Sequence, residues 1–201
     1  MDRFGSRAFT LLEIAVVMIV VAILFTLAVP TLQEYEDSAL LSNTTDRIVR
    51  LFRLARQHAT TENRSTQVRF YRFEDPNVPG SESAFRAARL STPSDDGETG
   101  EQLSGLFILP ARIAISDDEN FSSIFSLGEE LKEDNFPATG GSTVDYVGIE
   151  IRANGTINGP PSAKYFLTLW NENKAATEKP PKDYATIQVD PVSGGVEVLR
   201  P

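Results

Sequence analysis

Apolar positions follow three different rhythms along this chain of 201 residues, and each predicts a different element. From Phe9 to Leu32 the run is nearly continuous, with Thr10, Glu13, Thr26 and Thr31 as its polar members. As a helix rising about 1.5 Å per residue, those 24 residues span roughly 36 Å, enough to cross a hydrocarbon layer of about 30 Å. From residue 33 to 63 the rhythm changes. Leu40, Leu41, Ile48, Leu51, Phe52, Ala55 and Ala59 recur at steps of three and four, which predicts that the helix continues with one apolar face. Asn63 is a suitable stop.

Beyond residue 64 the chain reads as strands and loops. Thr66 to Phe73 and Ala84 to Leu90 predict two strands, and Leu106 to Ser116 a strand broken by Pro110, at an edge or a bulge. A short helix is expected around Ile124 to Lys132. Val144 to Arg152 and the residues after Asn154-Gly155 predict a hairpin on a tight turn. Ala163 to Trp170 is strand-like, and Ala185 to Val189 with Val196 to Leu199 flank a Pro- and Gly-bearing turn. A long N-terminal helix laid on an antiparallel sheet is an α+β arrangement. The expected divisions are a leader over residues 1–8, an apolar helical half over 9–32, an amphipathic half over 33–63 and a β-rich head over 64–201.

Glu13 is the anomaly in the first rhythm. Thr10-Leu11-Leu12-Glu13 fits a capping box, in which the acid reaches back to the amide of the cap residue. A carboxylate in the first turn also suits the helix dipole. An ionisable group at membrane depth nevertheless wants a partner, and a neighbouring chain's free α-amino group would serve. Arg3 and Arg7 precede the run, and Glu34, Glu36 and Asp37 follow it, which puts the N-terminus on the cytoplasmic side. Three readings stay open on the run alone: a cleaved secretory signal, a plain anchor, and an anchor that also drives assembly.

Charge narrows the task of the head. The net charge is −9, and removing Asp2, Arg3 and Arg7 with the leader makes it −10. An acidic surface repels phosphate backbones, so nucleic acid is not an expected partner. Arg47, Arg50, Arg53 and Arg56 form a local exception on the helix. They are either a solvated flank, with Asp46 and Glu62 as partners, or a contact for acidic surfaces of neighbouring subunits. The absence of cysteine removes disulfide and thiol chemistry.

Candidate chemistry is sparse. The single histidine, His58, sits among arginines. There is no Gly-rich phosphate loop after a strand and no Gly-x-Ser-x-Gly elbow. Asp95-Asp96 with Glu98, and Asp117-Asp118-Glu119, could offer oxygens to calcium but match no EF-hand spacing. Tyr165, Phe166 and Trp170 read as core on one strand face, with an aromatic binding patch as the alternative. No catalytic residue, metal or cofactor is expected.

The segment Ala8-Phe9-Thr10-Leu11-Leu12-Glu13 resembles the class III signal of type IV pilins and type II secretion pseudopilins. The resemblance implies cleavage between Ala8 and Phe9 by a prepilin peptidase, methylation of Phe9, and an assembly role for Glu13. Pro30 matches the family's helix-kinking proline, which loses an amide and clashes with the preceding turn. Where the family has Gly before the cut, this chain has Ala8. The end of the helix and the final hairpin are similar to minor pseudopilin H of type II secretion, to minor pilin T, and to the Verru_Chthon cassette protein D type. The implied protein is a non-enzymatic subunit with a type IV pilin-like fold. It would sit in the inner membrane with its head in the periplasm, then join other subunits in a pseudopilus or pilus-like filament. The alternatives are an anchored periplasmic protein that does not assemble and a DNA-uptake minor pilin.

Overall fold

The computed structural model describes residues 10–76, 81–93, 100–175 and 180–201, and the backbone alone at residues 25–33 and 175. The chain divides into two compact units, Met1–Ala39 and Leu40–Pro201. Helix α1 (Leu11–Glu62) is the long element that the first two rhythms predict. Among the described residues, no helix is long and apolar enough to cross a membrane. The expected span over residues 9–32 lies partly outside the described residues, as do Ala8, Phe9 and the side chain of Pro30.

In the second unit, α1 ends as its sequence directs. Asn63 adopts the left-handed conformation (φ 49°), and the amide of Arg64 donates to the Ala59 carbonyl at 3.1 Å, closing the last turn. Thr66 then ties the first strand back to the helix by donating its hydroxyl to the Ala55 carbonyl at 3.0 Å. Nine strands follow among the described residues: β1 (Thr66–Phe73), β2 (Ala84–Ser91), β3 (Phe107–Ile108), β4 (Ile113–Ile115), β5 (Glu130–Glu133), β6 (Val144–Ile151), β7 (Tyr165–Asn171), β8 (Tyr184–Val189) and β9 (Val196–Leu199). All pairings are antiparallel, in the order β5-β6-β1-β2-β4-β7-β8-β9, with β3 also on β2. The fold class is α+β, as the pattern predicts.

Three local expectations are corrected. The short helix expected over 124–132 is a 3₁₀ segment, Ser123–Leu127, followed by β5. Gly128 stops the helical turn in an extended conformation (φ −110°, ψ 153°). A Cβ there would lie 2.6 Å from the Gly148 carbonyl oxygen, so the absent side chain permits the approach to β6. The strand broken by Pro110 splits at the proline: among the described residues β3 pairs with β2 alone, as an edge segment would, but β4 is held between β2 and β7. The hairpin expected after Asn154-Gly155 reduces to one bridge, Ile151 to Ile157. Pro160 and Pro161 follow, and without amide donors they cannot extend a ladder. β6 takes its partners from β1 and β5 instead.

The main core lies between α1 and one face of the sheet. Ile48, Phe52, Ala55 and Ala59 of the helix are buried against Val68 and Phe70 of β1 and Ile149 of β6. Thr44 and Thr45 are buried as well, each donating its hydroxyl to the carbonyl four residues back. A β-bulge sets which side chains reach this face. Tyr71 opposes Ala87 but Arg72 opposes Phe85, leaving Arg86 as an extra residue in β2. The extra residue changes the phase of β2, so Phe85 joins Ala88 and Leu90 in the core.

The final turn is built by Asp190, whose Oδ1 accepts from the amides of Val192 (2.8 Å) and Ser193 (2.9 Å). These bonds hold its carboxyl below the ordinary value of 3.8. A lowered folded value means the turn's contribution is present above the ordinary carboxylate range and lost as pH falls through the folded value. Asp190→Ala is therefore expected to lower the melting temperature at pH 7. It should also flatten the acid limb of the stability curve below about pH 4, because the missing carboxylate no longer takes up a proton there. Thermal melts of both proteins from pH 2 to 7 check this.

Candidate functional site

Two constellations stand out: the start of α1 in the first unit, and a buried cluster of charges on the face of the sheet turned away from the helix.

Thr10 begins the helix. Its Oγ1 accepts from the Glu13 amide at 3.2 Å, and its carbonyl accepts from the Ile14 amide at 3.2 Å. This is the first half of the expected capping box. The Glu13 carboxylate has no partner among the described residues. Every side chain from Thr10 to Leu24 is exposed. Leu11 is 89 % exposed and Met18 66 %, around the whole circumference of the helix. A helix that is apolar on all sides is stable where something apolar surrounds it. The side chain of Glu13 is then the single charge in a surface built for a non-aqueous neighbour.

The second constellation escaped the sequence reading. In the chain segment Val68-Arg69-Phe70-Tyr71 the arginine interrupts an apolar run, as Arg89 does between Ala88 and Leu90; that interruption is the signal a reader could have used. Arg69 and Arg89 are 1 % and 3 % exposed, and both meet Glu133 at the end of β5. Arg69 Nη1 donates to Glu133 Oε2 at 3.3 Å, Arg69 Nη2 to the Thr92 carbonyl, and Arg69 Nε to Gln67 Oε1 at 2.9 Å. Arg89 Nη2 donates to Glu133 Oε1 and to the Tyr71 hydroxyl, which itself donates to Glu133 Oε2 at 2.9 Å. Burial pushes the Tyr71 hydroxyl well above its ordinary 10.0, so it stays a neutral donor. Burial also works against the charge on Arg89, but the bonds to Glu133 and Tyr71 outweigh it and raise its value.

Around these charges lies a smaller apolar cluster of Tyr71, Phe73, Ala87, Phe136, Val144 and Tyr146. The Tyr71 and Phe136 rings are 4.6 Å apart. Arg86, the bulge residue, grips Glu172 with two bonds of 2.7 and 2.8 Å, tying β2 to α2 (Glu172–Ala175). This arrangement can hold strands in register.

The remaining sequence candidates fall apart in space. His58 is half-buried on the helix. Asp95, Asp96 and Glu98 lie outside the described residues. Asp117 pairs with Arg72 at 3.8 Å, and Asp118 accepts from the amide and side chain of Asn120. Among the described residues, no three His, Cys, Asp or Glu side chains are placed to hold a metal. Tyr165 and Trp170 are buried, the latter edge-on to Phe121 at 5.3 Å. Arg47, Arg50, Arg53 and Arg56 are all exposed, and neither Asp46 nor Glu62 forms an ion pair with them. Asp46 offers Arg50 only its backbone carbonyl.

No protein-family model and no curated protein matches this sequence. Among solved structures, the chain is similar to the type IV minor pilin FimU of Pseudomonas aeruginosa in two crystal forms. The identity is 11 % and 9 %, the TM-score 0.44 for each; 79 % of this chain is covered in both, against 87 % and 92 % of those chains.

Proposed function

We propose that this chain is a minor pilin or pseudopilin subunit, a non-enzymatic building block of a type II secretion pseudopilus or type IV pilus-like filament. The observation that carries the reading is the fully exposed apolar surface of Leu11 to Leu24 with Glu13 at its start. An apolar helix is at home both in a lipid bilayer and among like helices in a filament core. Moving between them exchanges one apolar environment for another and costs little. The head of residues 64–201 then faces the periplasm, and the helix start faces the cytoplasm until a prepilin peptidase cuts between Ala8 and Phe9. Cleavage creates a free amine at Phe9, the cation that an unpartnered Glu13 on a neighbouring subunit can accept.

The expected result of N-terminal mass spectrometry on membrane-derived protein is loss of residues 1–8 and one added methyl group on Phe9. A chain that keeps residues 1–8 would point to a plain anchored protein. Glu13→Ala is expected to leave cleavage intact and to abolish incorporation into sheared filaments. Normal incorporation of the processed variant would refute the pairing role of Glu13.

A further inference from the structure

The second unit carries two charged surfaces of opposite sign, one on α1 and one at an edge of the sheet. Arg47, Arg50, Arg53 and Arg56 advance by three residues each while the helix turns every 3.6, so they cross its exposed back diagonally. None forms an ion pair among the described residues, in a protein whose net charge is −9. The two ends of the stripe are held in place. The Arg47 guanidinium sits 4.2 Å from the centre of the Phe107 ring. At the other end, the Arg56 stem lies against the last turn, where a Cβ on Gly194 would come within 3.2 Å of Arg56 Cδ. That turn needs glycine, because Gly194 has φ 62° and a side chain would also strike the Gly155 carbonyl. An open groove flanks each end: one of about 330 Å³ beside Phe107, and one of about 490 Å³ between Arg53, Arg56 and Val196.

The negative surface is assembled by tertiary structure. Arg72 of β1 reaches Asp117 at 3.8 Å and Glu130 at 3.3 Å. It thereby draws the loop Asp117-Asp118-Glu119 toward Glu129-Glu130 at the start of edge strand β5. Two of these five exposed carboxylates, Asp117 and Glu130, pair with the half-buried Arg72. Among the described residues the four guanidinium groups of the stripe form no ion pair, and the edge sets five carboxylates against Arg72 and the exposed Lys132.

We infer that the arginine stripe of one chain docks on the Asp117–Glu119 and Glu129–Glu130 edge of a second copy of the same chain. Because the two surfaces are different, the contact is head-to-tail and leaves each chain with a free stripe or a free edge. Such a contact propagates into an open helical array when the rotation it imposes does not close into a ring. The inference deepens the filament reading and rests on it for its propagation. Arg47 and Arg56 are already ordered by Phe107 and the Gly194 turn, so part of the entropy of fixing long side chains is spent before docking. Complementary charge also sets register, since like charges brought face to face are repelled.

The chain has no cysteine, so introduced cysteines report the contact without background. Full-length chain bearing Arg53→Cys, mixed with full-length chain bearing Glu119→Cys in detergent micelles, is expected to cross-link with a short bis-maleimide into a heterodimer. The yield should fall as salt rises from 50 to 500 mM, as the Debye length shortens from over 10 Å to about 4 Å. Reversing Arg47, Arg50 and Arg56 to Glu should lower the yield by about tenfold or more. Reversing Asp118, Glu129 and Glu130 to Lys on the partner should do the same, and combining both reversals should restore it. Circular dichroism of each variant confirms that the head remains folded.

Cross-linking that survives either single reversal overturns the inference. So does a yield sensitive to the stripe but not to the acidic edge, which would mean that the stripe serves another partner. Stripe-dependent binding to anionic phospholipid vesicles, or a salt-dependent gel shift with duplex DNA, in place of the cross-link would overturn it likewise. N-terminal mass spectra of the same samples separate the two ideas: a chain retaining residues 1–8 fails the filament reading while the cross-link tests the docking alone.

Discussion

Replacing Glu133 by Leu is expected to destabilise the head by about 3–5 kcal/mol, the usual cost of stranding a buried charge. Glu133 is the carboxylate that Arg69 and Arg89 share on the buried face of the sheet, and it accepts from the Tyr71 hydroxyl as well. Without it, Arg89 at 3 % exposure loses its carboxylate, and Arg69 at 1 % loses its ion pair with Glu133. Arg89 is the more vulnerable, because its Nε is already buried without a hydrogen-bond partner among the described residues. The midpoint of urea unfolding of the full chain measures the loss. Glu133→Gln keeps an acceptor but not the charge, and should fall between wild type and Glu133→Leu. The combination Glu133→Leu, Arg69→Met and Arg89→Met should recover most of the stability, since an apolar replacement of a whole buried ion network is often neutral or better. Failure of the triple variant to recover would mean that the network fixes strand register rather than only balancing its own charges. Glu133 is well placed for either role, reaching from edge strand β5 past β6 to side chains of β1 and β2.

The second large effect is expected from Phe52→Ala, at about 3–5 kcal/mol. Phe52 is 1 % exposed at the centre of the helix-to-sheet contact, its ring 6.0 Å from that of Phe70. Phe70 in turn meets Phe125 edge-on at 5.5 Å, and Phe125 stacks on Phe85 at 4.0 Å. Truncation at Phe52 opens a cavity under this chain of rings, and the hydrogen-bonded sheet cannot collapse around it. Leu51→Ala, one position away and half-buried, should cost clearly less. Urea unfolding compares the two variants. Amide hydrogen exchange should show the loss of protection in the helix from Leu41 to Ala59 and in β1 and β6, which share that core.

The sequence by itself determined the long helix and most of the strands that follow it. A continuous apolar run, then steps of three and four, then loose alternation are statements about which faces seek water, and local geometry converts them directly into helix and strand. The stop at Asn63, strand β1 and the last hairpin were legible because one residue type at one place sets the local conformation. The start of α1 was legible for the same reason: a threonine caps its own helix, and an acid among apolar residues stands out without any knowledge of the fold.

Only the tertiary structure decided the rest, because it depends on pairs far apart in the chain. Arg69 meets Glu133 across 64 positions, and Arg86 meets Glu172 across 86. Nothing local distinguishes such arginines from solvated ones until the sheet order is known. The same holds for Leu131, whose segment suggested a helix until β6 offered it a partner in Tyr146. A β-bulge placed Phe85 in the core, where strict alternation from Leu90 would have put it on the opposite face. The opposed charged surfaces are a tertiary product too. The positive stripe follows from helical spacing alone, but its lack of ion pairs among the described residues, and the meeting of Asp117 and Glu130 at Arg72, follow from where the folded chain brings its charges.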